Sequence, residues 1–100
     1  MFDLLKIFKG QEFSQEEFIR RVNNLGYHRR EEIDEEGDFC SRGEVMEIFP
    51  VTFESPVKIV WDDQRIESLS GFNLATGEVI SDFEILIILP LAEKTHRIKT

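Results

Sequence analysis

The sequence predicts an α+β domain: a twisted antiparallel sheet with one main helix packed on it. Three observations carry that reading. Residues 13–26 show helical spacing with start and stop signals, and residues 27–89 break into short apolar segments separated by turn residues. The 100-residue length suits one core and no second domain. With 41% hydrophobic and 32% charged residues, nine of them Phe among the former, the chain has enough large apolar side chains to offset the entropy of ordering.

Residues 4–8 read as an opening strand and Gly10 as the break after it. Ser14 starts the helix. Its hydroxyl can accept from the backbone N–H of Glu17 while the Glu17 side chain reaches back, and Phe13 can pack on Phe18 across the cap. Phe18, Ile19, Val22 and Leu25 recur at helical spacing, Glu16 with Arg20 and Glu17 with Arg21 can pair four residues apart, and Gly26 supplies the stop. The helix is therefore placed at 15–25.

Beyond Gly26, strands are expected at 27–33, 39–49, 57–61, 65–72 and 85–89. Pro50 and Pro56 bracket a loop, Asp62-Asp63-Gln64 makes a tight connection, and 73–77 forms another turn. Short connections of this kind imply antiparallel pairing throughout. Val57, Ile59 and Trp61 alternate with Lys58 and Val60, which predicts one buried face, and the wholly apolar 85–89 reads as a central or doubly covered strand. Tyr27, with its hydroxyl at the edge, Phe39, Phe49 and Trp61 are assigned to the core. Residues 1–91 are expected to form the module, and 92–100 a tail or linker toward a following domain.

Charge and motif content narrow the function. A formal net charge of −8 repels phosphate backbones, and the only basic cluster is Lys94, His96, Arg97 and Lys99, so direct nucleic-acid binding is disfavoured. No stretch of about 18 apolar residues is present and no signal core follows a charged start, which predicts a cytoplasmic protein without membrane association. The single cysteine, Cys40, is read as a small half-buried strand residue in a reducing compartment. No phosphate-binding loop occurs, and His28 and His96 lack ligand spacing, so no catalysis, metal or cofactor is expected. The acidic run Glu31, Glu32, Asp34, Glu35, Glu36, Asp38 reads as a solvated loop, with partner steering as the functional alternative.

Arg29 and Arg42 are the candidate binding residues, because a planar guanidinium can clamp a carboxylate through two hydrogen bonds. On residue chemistry alone, local pairing of each with the acidic run is the favoured alternative. Gly43 after Arg42 is expected to permit a bulge or a close backbone approach that re-aims the arginine.

The order of residues in LGYHRREEIDEEGDFCSRGEVMEIFP, followed by PVKIVWDDQRIESL, the turn ATGEV and a strand ending in ILP, resembles the UvrB-interaction, or UvrA-binding, module. That module is shared by the bacterial excision-repair helicase UvrB and the transcription-repair coupling factor Mfd. The likeness covers roughly residues 25–90 and implies a monomeric, non-catalytic domain that docks UvrA, as part of a UvrB-like or Mfd-like protein or as a detached adaptor. It places Arg29 and Arg42 on the UvrA-facing surface, with Lys58 and Gly43 beside them. Three departures from the pattern stand out: Cys40 replaces an arginine common in UvrB, Lys58-Ile59-Val60 replaces an Arg-X-Glu step, and Trp61-Asp62-Asp63-Gln64 replaces an aromatic-aromatic-Gly-Asp stretch. They leave a scaffold domain that has lost UvrA binding as the alternative.

Overall fold

The computed structural model describes residues 4–91. Two sheets and one helix enclose the core. Strands β1 (Leu5–Phe8) and β8 (Ile85–Ile88) pair antiparallel as a small sheet. β2 (His28–Arg29), β3 (Asp38–Arg42), β4 (Val45–Ile48), β5 (Val57–Asp62), β6 (Arg65–Phe72) and β7 (Val79–Asp82) form a six-stranded sheet in sequence order. Helix α1 (Gln15–Asn24) lies between β1 and β2 in the chain.

The α+β class agrees with the sequence, and α1 starts where its signals place it. The Ser14 hydroxyl accepts from the Glu17 backbone N–H at 3.0 Å, and the Phe13 and Phe18 rings meet edge to face with centroids 6.5 Å apart. Only half of the expected capping box forms: the Glu17 carboxylate turns away to Arg20, with Arg21 at 3.9 Å. Leu25 caps the far end and Gly26 takes a φ of +98°, a conformation that favours glycine.

Alternation fixes which face of each strand is buried. Phe39, Met46, Ile48, Val57, Ile59 and Leu69 point from the large sheet into a core shared with Phe18 and Val22 of α1 and with Leu5, Ile7, Leu86 and Ile88 of the small sheet. Trp61 sits at its centre, its ring 5.5 Å from Phe18 and its indole N–H donating to the Phe13 carbonyl at 2.7 Å. That bond removes the one polar cost of burying tryptophan, leaving the full benefit of its area. Tyr27 is likewise buried, and its hydroxyl donates to the Leu89 carbonyl and accepts from the Val51 N–H.

The structure corrects several expectations. The single strand expected at 39–49 is a hairpin: Arg42 pairs with Val45, and Gly43-Glu44 form a two-residue turn. Gly43 has φ +62° and open space where a side chain would stand, so turn geometry explains it, not a bulge or close approach. The strand expected at 27–33 shrinks to two residues, and it pairs parallel to β3 rather than antiparallel. Past Arg30 the backbone N–H groups of Asp34 and Glu35 go to the Asp38 carboxylate, which ends the ladder. Strand β7 was not expected, because its four residues are all exposed and lack alternation. β8 is an outer strand with Ile85 and Ile87 in solvent, not a doubly covered one. Phe39 is core, whereas Phe49 is half-buried on the opposite side of the pleat from Ile48. The outer side of the small sheet carries Leu4, Phe8, Ile85, Ile87 and Leu89, all exposed.

The segment after β8 is fastened to the rest. Leu91 donates its N–H to the Leu25 carbonyl at 2.8 Å. Its side chain fills the space that side chains at Gly26 and Gly37 would occupy, with approaches of 3.2 Å at both. The expected tail 92–100, with its basic cluster and His96, lies outside the described residues. Among the described residues no helix is long and apolar enough to cross a membrane.

Candidate partner-binding site

The candidate site lies on the outer face of the large sheet, where β3, β4 and β5 run side by side. The registers Cys40–Glu47 and Glu47–Lys58 put these three side chains in one row, and Arg42 opposite Val45 shares their face. Arg42 ends β3, and its exposed guanidinium reaches two neighbours: Nη2 donates to the Glu31 carbonyl at 2.9 Å, and Nη1 lies 3.8 Å from the Glu47 carboxylate. Glu47 therefore stands between two cations, one from an adjoining strand and one from the end of the hairpin. Lys58 extends over the Phe72 ring, 5.6 Å from its centroid, which holds the ammonium without neutralising it.

At the start of β3, on the same face as Cys40 and Arg42, is a buried carboxylate. Asp38 is 1% exposed and accepts from the N–H groups of Asp34 and Glu35 and from Arg30 Nε at 3.2 Å. Desolvation alone would push its pKa up, but the two backbone donors and the Arg30 guanidinium outweigh it and hold the carboxyl below its usual range. Asp38 thereby folds the acidic run into a defined loop anchored by buried Ile33, and the loop delivers the Glu31 carbonyl to Arg42. Reading the acidic run as simply solvated is thus incomplete: Glu31, Glu32, Asp34, Glu35 and Glu36 are in solvent, but Asp38 is buried and organises the backbone.

Arg29 is exposed and has no ion pair among the described residues. It is aligned with Phe39 in the parallel register, so it falls on the opposite side of the pleat from Arg42. The structure therefore brings Arg42 and Lys58 onto one face and leaves Arg29 at the β2 edge. Cys40 is buried beside Glu47, its thiol donating to the carboxylate at 3.6 Å. Burial and the neighbouring Glu47 charge push that thiol's pKa up, which keeps it protonated and unreactive. Asp38 and Glu47 are the site residues that sequence reasoning missed. The signal for Asp38 was a carboxylate at a strand start, one residue from Phe39, where alternation places it opposite the core and beside the loop.

An exposed arginine fork, a second cation and an organised acidic loop thus lie together in one α+β fold. The chain belongs to the UvrB interaction domain family, whose pattern matches residues 5–93. It is 35% identical over 86 residues to the UvrABC system protein B of Treponema denticola, an alignment covering 86% of this chain and 13% of that protein. With the UvrABC system protein B of Streptomyces coelicolor the identity is 37% over 81 residues, covering 81% of this chain and 11% of the relative. The transcription-repair-coupling factor of Escherichia coli K12 is 27% identical over 85 residues, or 85% of this chain and 7% of that protein. The chain thus spans a small part of the length of these repair-protein relatives.

Proposed function

We propose that this domain docks UvrA, as a non-catalytic, monomeric adaptor within a UvrB-like or Mfd-like DNA-repair protein of the cytoplasm. The observation that carries the reading is the state of Arg42. A guanidinium has five N–H donors, and here one bonds a backbone carbonyl while Glu47 stands at 3.8 Å, so donors remain for a partner carboxylate. Lys58 would act from the rim of the same face, Gly43 by setting the turn that ends the Arg42 strand, and Arg29 only if the partner reaches around the β2 edge. The net charge of −8 argues against DNA as a direct ligand of this domain.

Titrating UvrA into the folded chain by calorimetry tests this. Arg42→Ala should weaken binding by about 2–4 kcal/mol, that is roughly 30- to 1,000-fold, with the melting temperature nearly unchanged. Lys58→Ala should mainly reduce the association rate at low salt. An unchanged dissociation constant for Arg42→Ala removes that residue from the site. One observation favours a second reading, a scaffold domain without UvrA affinity: Cys40, where UvrB carries an arginine, is buried and turned to Glu47, so that position offers a partner nothing. Absence of UvrA binding by the wild-type chain would favour it.

A further inference from the structure

The exposed large apolar side chains fall into two patches, one on the outer side of the small sheet and one formed by Leu74, Val79 and Ile80. The second patch borders an open cavity of about 400 Å³ lined in part by Phe49, Pro56, Leu74 and Ile80. None of the arginine-face residues lines it. Its shape has a local cause. The β6–β7 register steps from Gly71–Ser81 to Phe72–Val79, so Ile80 is the extra residue of a bulge, and a bulge re-aims the side chain it carries. Val79 and Ile80 are each 58% exposed.

Within the lining, the Asn73 carboxamide oxygen is already engaged, accepting from the N–H groups of Ala75 and Thr76. What remains for a ligand is apolar surface and charge. Residues 49–57 and 73–84, which build this corner, include Glu54, Glu78, Asp82 and Glu84 but no Lys, Arg or His, and Lys58, over the Phe72 ring beside them, leaves the balance of charge negative. That sign repels nucleic acid and acidic peptides and attracts cationic ones. β7 is also the terminal strand of its sheet, so one side of its backbone is free to pair with an added segment.

We propose that this cavity and the adjoining β7 edge bind an extended basic peptide, which seats one large aliphatic side chain beside Ile80 and sets flanking lysines or arginines against Glu54, Glu78 and Asp82. The volume falls in the range of ligand-binding pockets and suits a side chain better than a whole folded partner. The proposal is independent of UvrA docking.

The test is an NMR titration of the isotope-labelled full chain with a capped pentapeptide, Lys-Ile-Lys-Ile-Lys, at low salt. Shifts should concentrate at Phe49, Leu74, Ala75 and Ile80, and the dissociation constant should rise at least about tenfold for the matching peptide with Glu in place of Lys. Ile80→Asp should abolish binding, and the same spectra report whether it stays folded. Glu54→Lys, at an exposed loop position, should weaken the basic peptide and is a second readout if Ile80→Asp unfolds. Equal affinity for the two peptides, shifts centred on Arg42 or on the small sheet, or no response at millimolar peptide would overturn the proposal.

Discussion

The start of α1 and the acidic loop face the same problem, backbone N–H groups with no ladder partner, and they meet it with different chemistry. At the helix a neutral hydroxyl, Ser14, accepts one N–H from three residues on, in a part-buried setting. In the loop one carboxylate, Asp38, accepts two N–H groups and a guanidinium while almost wholly removed from water. A neutral cap near solvent can be replaced by water; a buried anion that organises three donors cannot. The helix start is therefore a modest local contribution, whereas the loop depends on one residue.

The strongest way to break that contrast is Asp38→Ala, which takes the acceptor from two part-buried N–H bonds and releases Arg30. It should cost about 3 kcal/mol and lower the melting temperature by more than about 10 °C in a domain of this size, readable by circular dichroism. A loss comparable to that of Ser14→Ala would refute the asymmetry. Next in size is Tyr27→Phe, which takes the shared hydroxyl from Val51 and Leu89 and should cost about 1–2 kcal/mol. Ser14→Ala should cost about 1 kcal/mol.

A pH series sharpens the comparison further. Because the Asp38 carboxyl is held below its unfolded value, its stabilisation is fully present above about pH 4 and is lost as pH falls through the lower folded value. Asp38→Asn should flatten that acid limb of the stability curve, while Ser14→Ala should shift the whole curve down without changing its slope. If the wild type and Asp38→Asn lose stability in parallel below pH 4, the carboxylate is not the source of the acid sensitivity.

What could be read from the chain follows the same division. The helix was legible because its cap, staple and stop all act within a dozen residues, and β5 because burial of one face writes alternation into it. β7 was not, since it is a short exposed strand that buries no face, and β2 was legible only as a longer, antiparallel strand than the two exposed residues that form it. The wholly apolar 85–89 misled because its alternate residues face solvent on a two-stranded sheet, where burial does not dictate their polarity. Of the site, Arg42 stood out by its chemistry and, with Lys58, by the family resemblance, but their common face was not legible, because it depends on a hairpin at Gly43-Glu44 where one strand was expected. The role of Asp38 was not, because it accepts from loop backbone whose path no periodicity records, and the separation of Arg29 from Arg42 depends on a parallel register that short connections argued against.

Leu91 gives the domain a mechanical character. Leu5 and Ile88 are register partners, so β1 and β8 bring the two ends of the described chain side by side, the geometry in which opposed pulling opens a ladder one bond at a time. Leu91, bonded to Leu25 and wedged against Gly26 and Gly37, comes after β8 and takes the load first. Tension on that end is thus carried to the end of α1 and to the end of the acidic loop before it reaches the small sheet.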